Sequence, residues 1–152
     1  TICEAVAYYK KQGLTLWDQM NKMYEKYGYF KEKQMSITLK GADGAAQIKK
    51  MMENMRSNPA KEIAGLKVKE FGDYDKQEIT SENNEKRSTG LPKSNVLYFD
   101  LEKNAWVCVR PSGTEPKIKF YMGVCGNSMQ NANDELNKLE SAVKEMAENA
   151  QN

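Results

Sequence analysis

The sequence predicts an α+β fold in which an antiparallel β-sheet carries helices on one side. Alternating apolar residues predict short strands, and two longer segments have their apolar residues at helical spacing. In chain order these elements read β-α-β-β-β-β-α, an order typical of an antiparallel sheet with helices packed on one face. A pair of short helices precedes this unit. The length of 152 residues suits one domain with an appendage.

The helical pair is predicted over residues 1–30. The first helix has Ile2 at its start and ends near Gly13, a residue type favoured just beyond a helix. The second begins at Thr15 with a capping box in which Asp18 takes the usual place of Glu. Its apolar stripe consists of Leu16, Met20, Met23, Tyr24 and Tyr27. We expect this pair to be the helical tail of a preceding domain; the alternative is that it folds back onto the domain that follows.

A linker or hinge is predicted at residues 31–36, and the main domain at 37–152. The expected strands are 35–39, 63–71, 96–101, 105–109 and 117–125. One helix is expected between Asp43 and Asn58, with inward-facing Ile48, Met51, Met52 and Met55. A second helix starts at Ser128 and has Leu136, Leu139, Val143 and Met146 on one face. The segment 102–104 suits a tight hairpin turn.

A polar stretch at residues 73–94 interrupts the domain. It contains few apolar residues, which predicts a mobile surface loop. The alternative is a lid that touches substrate or a neighbouring domain. Its two spaced carboxylates, Asp73 and Asp75, are interpreted as solvated side chains rather than as a metal site.

Composition excludes several classes of function. The net charge of +2, without a cluster of Lys and Arg, argues against nucleic-acid binding. No apolar run reaches the length of a membrane span, and we expect a cytoplasmic location. The absence of His excludes a Ser-His or Cys-His hydrolase and makes a zinc site unfavourable. The three cysteines, Cys3, Cys108 and Cys125, are expected to be free thiols, although a disulfide between the last two is conceivable.

The segment Arg110-Pro-Ser-Gly-Thr-Glu-Pro-Lys-Ile-Lys119 lies between two predicted strands and suits a phosphate dianion. Arg110 offers a bidentate fork, and Ser112 and Thr114 offer hydroxyl donors. Gly113 allows close approach of the backbone, and Lys119 adds a second cation. On these residues alone, an ordinary hairpin turn with locally satisfied hydroxyls is an equal alternative. The turn does not match the nucleotide-binding P-loop pattern.

Continued to Tyr121, this segment resembles the phosphate-binding loop in the last domain of the α-D-phosphohexomutases, of the phosphoglucomutase and phosphomannomutase type. Weaker similarity extends to residues 24–30 and 91–99. The resemblance implies a TBP-like sheet with helices on one side. It also implies that Arg110, Ser112, Gly113, Thr114 and Lys119 bind substrate phosphate. Lys119 lies where many members have Arg, so the bidentate fork is lost at that position.

The resemblance further implies an enzyme that interconverts hexose 1-phosphate and 6-phosphate through a phosphoserine and a bisphosphate. The catalytic serine loop, the magnesium loop and the sugar-reading loop of such enzymes have no counterpart here. We therefore expect a C-terminal fragment whose partners are a phosphosugar and other domains of the same polypeptide, with Mg²⁺ bound outside this chain. The alternative is a stand-alone phosphate-binding or regulatory module. A nucleic-acid binder is suggested only by the TBP-like topology.

Overall fold

A computed structural model describes residues 1–39 and 43–151 of the chain. Its helices are α1 (Ile2–Lys10), α2 (Leu16–Tyr27), α3 (Gly44–Ser57) and α4 (Met129–Gln151). Its strands are β1 (Tyr29–Thr38), β2 (Glu62–Ile63), β3 (Leu66–Asp73), β4 (Glu78–Ser81), β5 (Lys86–Ser88), β6 (Leu97–Leu101), β7 (Trp106–Pro111) and β8 (Lys117–Gly126). A single 3-10 turn at Glu102–Asn104 joins β6 to β7, which confirms the predicted tight turn.

The strands form an antiparallel sheet in the order β1-β8-β7-β6-β3-β4-β5, and β2 pairs with β3 alone. β1 and β5 are therefore the two edges of the sheet. Helices α3 and α4 pack together on one face, and their buried side chains form one cluster with the inward residues of the strands. The predicted α+β class, with helices on one side of an antiparallel sheet, is confirmed.

The hydrophobic core lies between this face and the two helices. Alternation along β6, β7 and most of β8 places every second side chain in the core. The largest fully buried side chains are Phe99, Phe120, Met51, Met52, Leu97, Leu101, Ile118, Met122 and Leu139. The predicted inward residues of α3 are all buried, and so are Leu136, Leu139 and Val143 of α4. Met146 is partly buried and packs against the same cluster.

The N-terminal helical pair packs little against the rest of the domain. Helix α2 starts after Thr15 as predicted, whereas α1 ends at Lys10, before the predicted Gly13. The capping box is formed: the Thr15 hydroxyl accepts from the Asp18 amide at 3.1 Å, and the Asp18 carboxylate accepts from the Thr15 amide at 2.8 Å. Neither α1 nor α2 contains a buried residue. The large exposed apolar side chains of residues 1–30 are Ile2, Val6, Tyr8, Trp17, Met20, Met23, Tyr27 and Phe30. The assignment of this pair to a preceding domain stays a prediction.

The segment predicted as a linker or hinge, residues 31–36, belongs to a strand, and its role as a hinge stays a prediction. These residues lie inside β1, which pairs with β8 from Tyr29 to Thr38 without a break. β1 alternates between half-buried and exposed side chains, but charged residues occupy its middle, so its apolar signal starts only at Met35. Pairing with a core strand, rather than its own apolar pattern, makes this segment a strand.

Residues 63–71 were predicted as one strand, and the structure divides them. Ala64 and Gly65 have φ values of 55° and 76°, so the chain turns back at this point. Ile63 then pairs with Leu66 across a two-residue hairpin. Glycine adopts this backbone conformation without strain, and it carries the second turn position.

The stretch predicted as a mobile surface loop, residues 73–94, contains the two short strands β4 and β5. Its mobility, and the alternative that it is a lid, stay predictions. Both strands extend the sheet beyond β3. Ion pairs rather than apolar contacts accompany their pairing: Lys86 lies 2.9 Å from Glu78, and Arg87 lies 2.7 Å from Glu70. Strands held in this way have no hydrophobic alternation, so the sequence shows only a polar segment.

The interpretation of Asp73 as a solvated carboxylate is wrong. Asp73 is 3% exposed, and both its carboxylate oxygens accept from Nε of Arg56 at 3.1 Å. Arg56 also donates to the side-chain oxygen of Asn95 at 2.8 Å. Burial of a carboxylate requires such a charged partner. The pair therefore links the end of α3 to the start of the β4–β5 extension.

The three cysteines are unpaired, as expected. Although β7 and β8 are neighbours, their register places Cys108 opposite Tyr121 rather than opposite Cys125. The side chains of Cys108 and Cys125 are thus too far apart along the strands for the alternative disulfide. Within the described residues no helix has both the length and the apolar content that crossing a membrane requires.

Candidate phosphate-binding site

The candidate site is the connection between β7 and β8. The two strands pair up to Pro111 and Ile118, and the loop between them consists of residues 112–116. The amide of Ser112 donates to the carbonyl of Lys117 at 2.7 Å, which closes the base of the loop. All five residues predicted to bind phosphate therefore belong to one hairpin.

Two cations lie side by side at the base of this loop. The register pairs Arg110 with Lys119, so their side chains project from the same face of the sheet. Arg110 is exposed and Lys119 is half-buried, whereas the alternate residues Ile118 and Phe120 are fully buried on the opposite face. The cationic pair thus lies on the sheet face that α3 and α4 leave open.

Like charges at directly opposed positions of two strands repel each other. Among the described residues, neither Arg110 nor Lys119 forms an ion pair. A dianion bound between the two side chains would remove this repulsion and accept charge-assisted hydrogen bonds from both. The arrangement therefore favours an anionic ligand.

The loop adds hydroxyl groups and open space. The Thr114 amide lies 3.5 Å from the Ser112 hydroxyl, a weak contact that leaves both hydroxyls available as donors. A side chain at Gly113 would meet no atom within 4 Å, and the φ of this glycine is not positive. Gly113 is thus not required by the backbone conformation, and its surroundings leave room for a ligand.

Glu115 neutralises one neighbouring cation. Its carboxylate lies 2.9 Å from Nζ of Lys117. The hydrogen bond from Lys117 lowers the pKa of Glu115, and the charges of Lys117 and Lys119 lower it further. Glu115 is therefore a carboxylate at neutral pH and offsets the charge of Lys117, which leaves Arg110 and Lys119 as the cations available to an anion.

Two hydroxyl residues beside the site were not identified from the sequence. Ser36 pairs with Lys119, and Thr38 pairs with Lys117, across the β1–β8 ladder. Both are exposed on the face that carries the two cations. No local sequence signal marks them, because the pairing joins segments about eighty residues apart in the chain.

Cys108 lies two residues before Arg110 on the same strand face. Burial raises the pKa of its thiol, and the positive charge of Arg110 opposes this only in part. The thiol therefore remains protonated at neutral pH, and a thiolate nucleophile at this position is disfavoured.

A metal does not fit the described residues. No group of three or more Cys, Asp or Glu side chains in residues 1–39 and 43–151 is arranged so that it could hold a metal ion. The chain has no His. Magnesium binding elsewhere in a longer enzyme stays a prediction.

Comparison with known proteins adds independent information on the family. Residues 50–133, more than half of the chain, match the family model described as phosphoglucomutase/phosphomannomutase, C-terminal domain. The chain belongs to this family. The resemblance based on the loop and its flanking segments is confirmed.

Curated relatives cover most of this phosphoglucomutase/phosphomannomutase C-terminal domain. A phosphoglucomutase of Staphylococcus haemolyticus is 34% identical over 128 residues, which are 84% of the chain and 23% of the relative. A phosphoglucomutase of Staphylococcus aureus is 40% identical over 116 residues, 76% of the chain and 21% of the relative. The chain thus spans about a quarter of the length of these relatives.

A solved structure has the same fold. The open form of pp63/parafusin, a phosphoglucomutase from Paramecium, superimposes with a TM-score of 0.60 over 97% of the chain and 25% of that protein, at 15% identity. At this identity the likeness concerns the fold alone. The contacts of Arg110, Ser112, Gly113, Thr114 and Lys119 with phosphate stay predictions.

Proposed function

We propose that this domain anchors one phosphate of a phosphosugar for a phosphohexomutase of the phosphoglucomutase or phosphomannomutase type. The observation that carries the proposal is the cross-strand pair of Arg110 and Lys119, which has no ion-pair partner among the described residues. Ser112 and Thr114, which carry hydroxyl groups, lie in the loop that joins the two strands of this pair. Two cations with hydroxyl donors match the charge and the hydrogen-bonding capacity of a phosphate dianion.

In the longer enzyme, a phosphoserine of another domain transfers its phosphoryl group to a free hydroxyl of the hexose phosphate. The product is a hexose bisphosphate and a free serine. Transfer of the other phosphoryl group back to the serine completes the interconversion of 1-phosphate and 6-phosphate. During each transfer, the present domain holds the phosphate that does not react and thereby orients the sugar.

This division of work places no catalytic residue in the chain. Mg²⁺ held by other domains of the longer enzyme would supply electrostatic stabilisation of the transferred phosphoryl group. The partners of the domain are the phosphosugar and the remaining domains of the same polypeptide, in the cytoplasm. By itself the domain binds phosphate weakly and converts no substrate.

An amide NMR titration of this chain tests the anchoring role. Glucose 1-phosphate is expected to shift resonances from Arg110 to Lys119, and glucose is expected to shift none. Inorganic phosphate is expected to shift the same resonances, since the domain binds the dianion and leaves the sugar to other domains. Absence of any shift at tens of millimolar ligand would contradict the proposal.

A matched pair of variants separates a specific contact from overall charge. Arg110→Ala removes a charge-assisted contact of roughly 1.5–3 kcal/mol, so phosphate binding weakens about 10- to 100-fold. Arg87→Ala removes the same charge from β5, where Arg87 contacts Glu70, and leaves phosphate binding unchanged. In the longer enzyme, Arg110→Ala lowers phosphosugar turnover while the domain stays folded. Equal binding by both variants would argue against the assigned site.

A further inference from the structure

Pro116, the last residue of the loop, is held from outside the hairpin. Its carbonyl oxygen accepts a hydrogen bond of 3.0 Å from the amide of Leu39, which directly follows β1. Proline has no amide hydrogen, so its carbonyl is its one backbone hydrogen-bonding group. The end of β1 therefore fixes the C-terminal end of the loop, and the Ser112–Lys117 bond fixes the N-terminal end.

Gly44, the first residue of α3, packs against both Leu39 and Pro116, the two partners of the hydrogen bond that holds the end of the loop. Gly44 is buried, and a side-chain carbon there would collide with the carbonyl oxygen of Leu39. The same carbon would lie 3.1 Å from the Leu39 carbonyl carbon and 3.2 Å from Cβ of Pro116. The φ of Gly44 is not positive, so the site requires glycine for space rather than for backbone conformation. Because backbone atoms form most of this contact, a change of side-chain rotamer cannot relieve it.

Inside the loop, few hydrogen bonds hold the donors in place. The weak Thr114–Ser112 contact and a bond of 2.7 Å from the Lys117 amide to the Glu115 carbonyl lie between its two fixed ends. Pro116 is therefore one of the points at which the rest of the domain holds the loop. A displacement of the Leu39 backbone would move Pro116 and, with it, this end of the loop.

We propose that Gly44 is a positioning residue for the phosphate loop, acting through the Leu39–Pro116 hydrogen bond. Gly44 itself touches no phosphate. The consequence for binding rests on the proposed function of the loop, whereas the effect on the loop conformation does not. In enzymes, misplacement of a positioned group by about 1 Å lowers the reaction rate by up to about 100-fold. We expect the oriented phosphate contacts of this loop to weaken measurably on a smaller shift.

Two pairs of variants test this role in the 152-residue chain, with inorganic phosphate as the probe. Gly44→Ala introduces the clash, and Ala46→Gly, at an exposed position of the same first turn, lowers helix stability by up to about 1 kcal/mol without filling the space. Leu39→Pro removes the amide donor, and Leu39→Ala removes the side chain while it keeps the donor. All four variants are checked for folding by the dispersion of their core amide resonances.

We expect Gly44→Ala and Leu39→Pro to weaken phosphate binding by about tenfold. Both should also shift the amide resonances of Ser112, Gly113 and Thr114 in the ligand-free protein. Ala46→Gly and Leu39→Ala should leave the loop resonances and the phosphate affinity near those of the unmodified chain. A purely structural role of Gly44 would not produce this split, because Ala46→Gly also destabilises α3.

Unchanged loop resonances in Gly44→Ala would overturn the positioning role, and so would equal effects of Leu39→Ala and Leu39→Pro. Failure of the unmodified chain to bind phosphate would overturn the proposed function instead. In that case the ligand-free resonances still decide whether Gly44 sets the loop conformation. The two proposals can therefore fail separately.

Discussion

The chain contains two helical pairs with similar sequence patterns and different packing. Both α2 and α4 carry apolar residues at helical spacing. Yet α4 buries Ala132, Leu136, Leu139, Val143, Ala147 and Ala150, whereas no residue of α1 or α2 is buried. The pair α3–α4 has a sheet face opposite to it. The pair α1–α2 contacts the sheet at the start of β1, where Tyr24 stacks on Tyr29 at 5.6 Å.

The difference shows that an amphipathic pattern identifies the apolar face of a helix but not the element that covers this face. For α3 and α4, the partner is the sheet, most of whose strands lie between them in the sequence. For α1 and α2, the exposed stripe with Met20 and Met23 has no partner among the described residues. Stability should therefore depend strongly on the second pair and weakly on the first.

Removal of a core side chain from α4 should cause the largest loss in the free energy of unfolding. Leu139 is fully buried, so Leu139→Ala should lower the free energy of unfolding by about 3 kcal/mol. Met20→Ala in α2, where the side chain is 40% exposed, should change it by less than about 0.5 kcal/mol. Urea unfolding of both variants measures the difference. Similar losses would mean that α2 is packed in solution.

The junction between α2 and β1 should be the one sensitive point of the first pair. Gly28 has a φ of 104°, and a side-chain carbon there would lie 2.5 Å from Sγ of Cys125. Gly28→Ala should therefore cost about 2 kcal/mol, from backbone strain and from the clash. Gly13→Ala is the control, because Gly13 also has a positive φ but no atom within 4 Å of the added carbon. Adding Cys125→Ala to Gly28→Ala should recover the part of the stability loss that comes from the clash with Sγ. Equal losses for Gly13→Ala and Gly28→Ala would contradict a contribution from this clash.

The capping box of α2 should affect that helix alone. Thr15→Ala removes the acceptor for the Asp18 amide and costs about 1 kcal/mol of local helix stability. Because α2 has no buried residue, we expect faster hydrogen exchange in its first turn and an unchanged urea midpoint. Thr15→Ser keeps the acceptor and serves as the control. A lower urea midpoint in Thr15→Ala would show that α2 unfolds together with the core.

A pH-dependent contact between β1 and α4 should make the smallest contribution to the free energy of unfolding. Lys33 donates to Glu140 at 2.7 Å, and this bond lowers the pKa of Glu140, with a further contribution from Lys144. Because the pKa of Glu140 is lower in the folded state, its ionised form stabilises the folded protein at pH values above the unfolded-state pKa. This contribution to the free energy of unfolding is lost as the pH falls through the folded-state pKa.

Thermal unfolding from pH 7 to pH 3 measures that contribution. Glu140→Gln should be less stable than the unmodified chain at pH 7 by roughly a few tenths of a kcal/mol, since the Lys33 side chain is 44% exposed and solvent screens the pair. The difference should vanish at the acid end of the range. Glu145→Gln, an exposed change on the same helix, is the control. A difference that is constant with pH would exclude the Lys33–Glu140 bond as its cause.

Much of this fold could be predicted from local patterns. The inward faces of α3 and α4 follow from helical spacing, and the Thr15 capping box needs only residues three apart. The strands β4 and β5 and the middle of β1 could not be predicted, because long-range pairing holds polar residues in them. The burial of Asp73 depends on Arg56, which lies on another element.

The candidate site divides in the same way. Arg110, Ser112, Gly113, Thr114 and Lys119 belong to one continuous motif, so the sequence was sufficient to propose them. The residues that surround the loop come from β1 and α3. Ser36, Leu39 and Gly44 have no local signal, because only the folded sheet brings them beside the hairpin.

The edges of the sheet bear on how this chain behaves in concentrated solution. β5 has three residues, all exposed, and two of them are Lys86 and Arg87. β1, at the other edge, carries Lys31, Glu32 and Lys33 in succession. Charged or very short edge strands resist the addition of a strand from a second molecule. The chain should therefore resist fibril formation and remain dispersed at the protein concentrations that titration by NMR requires.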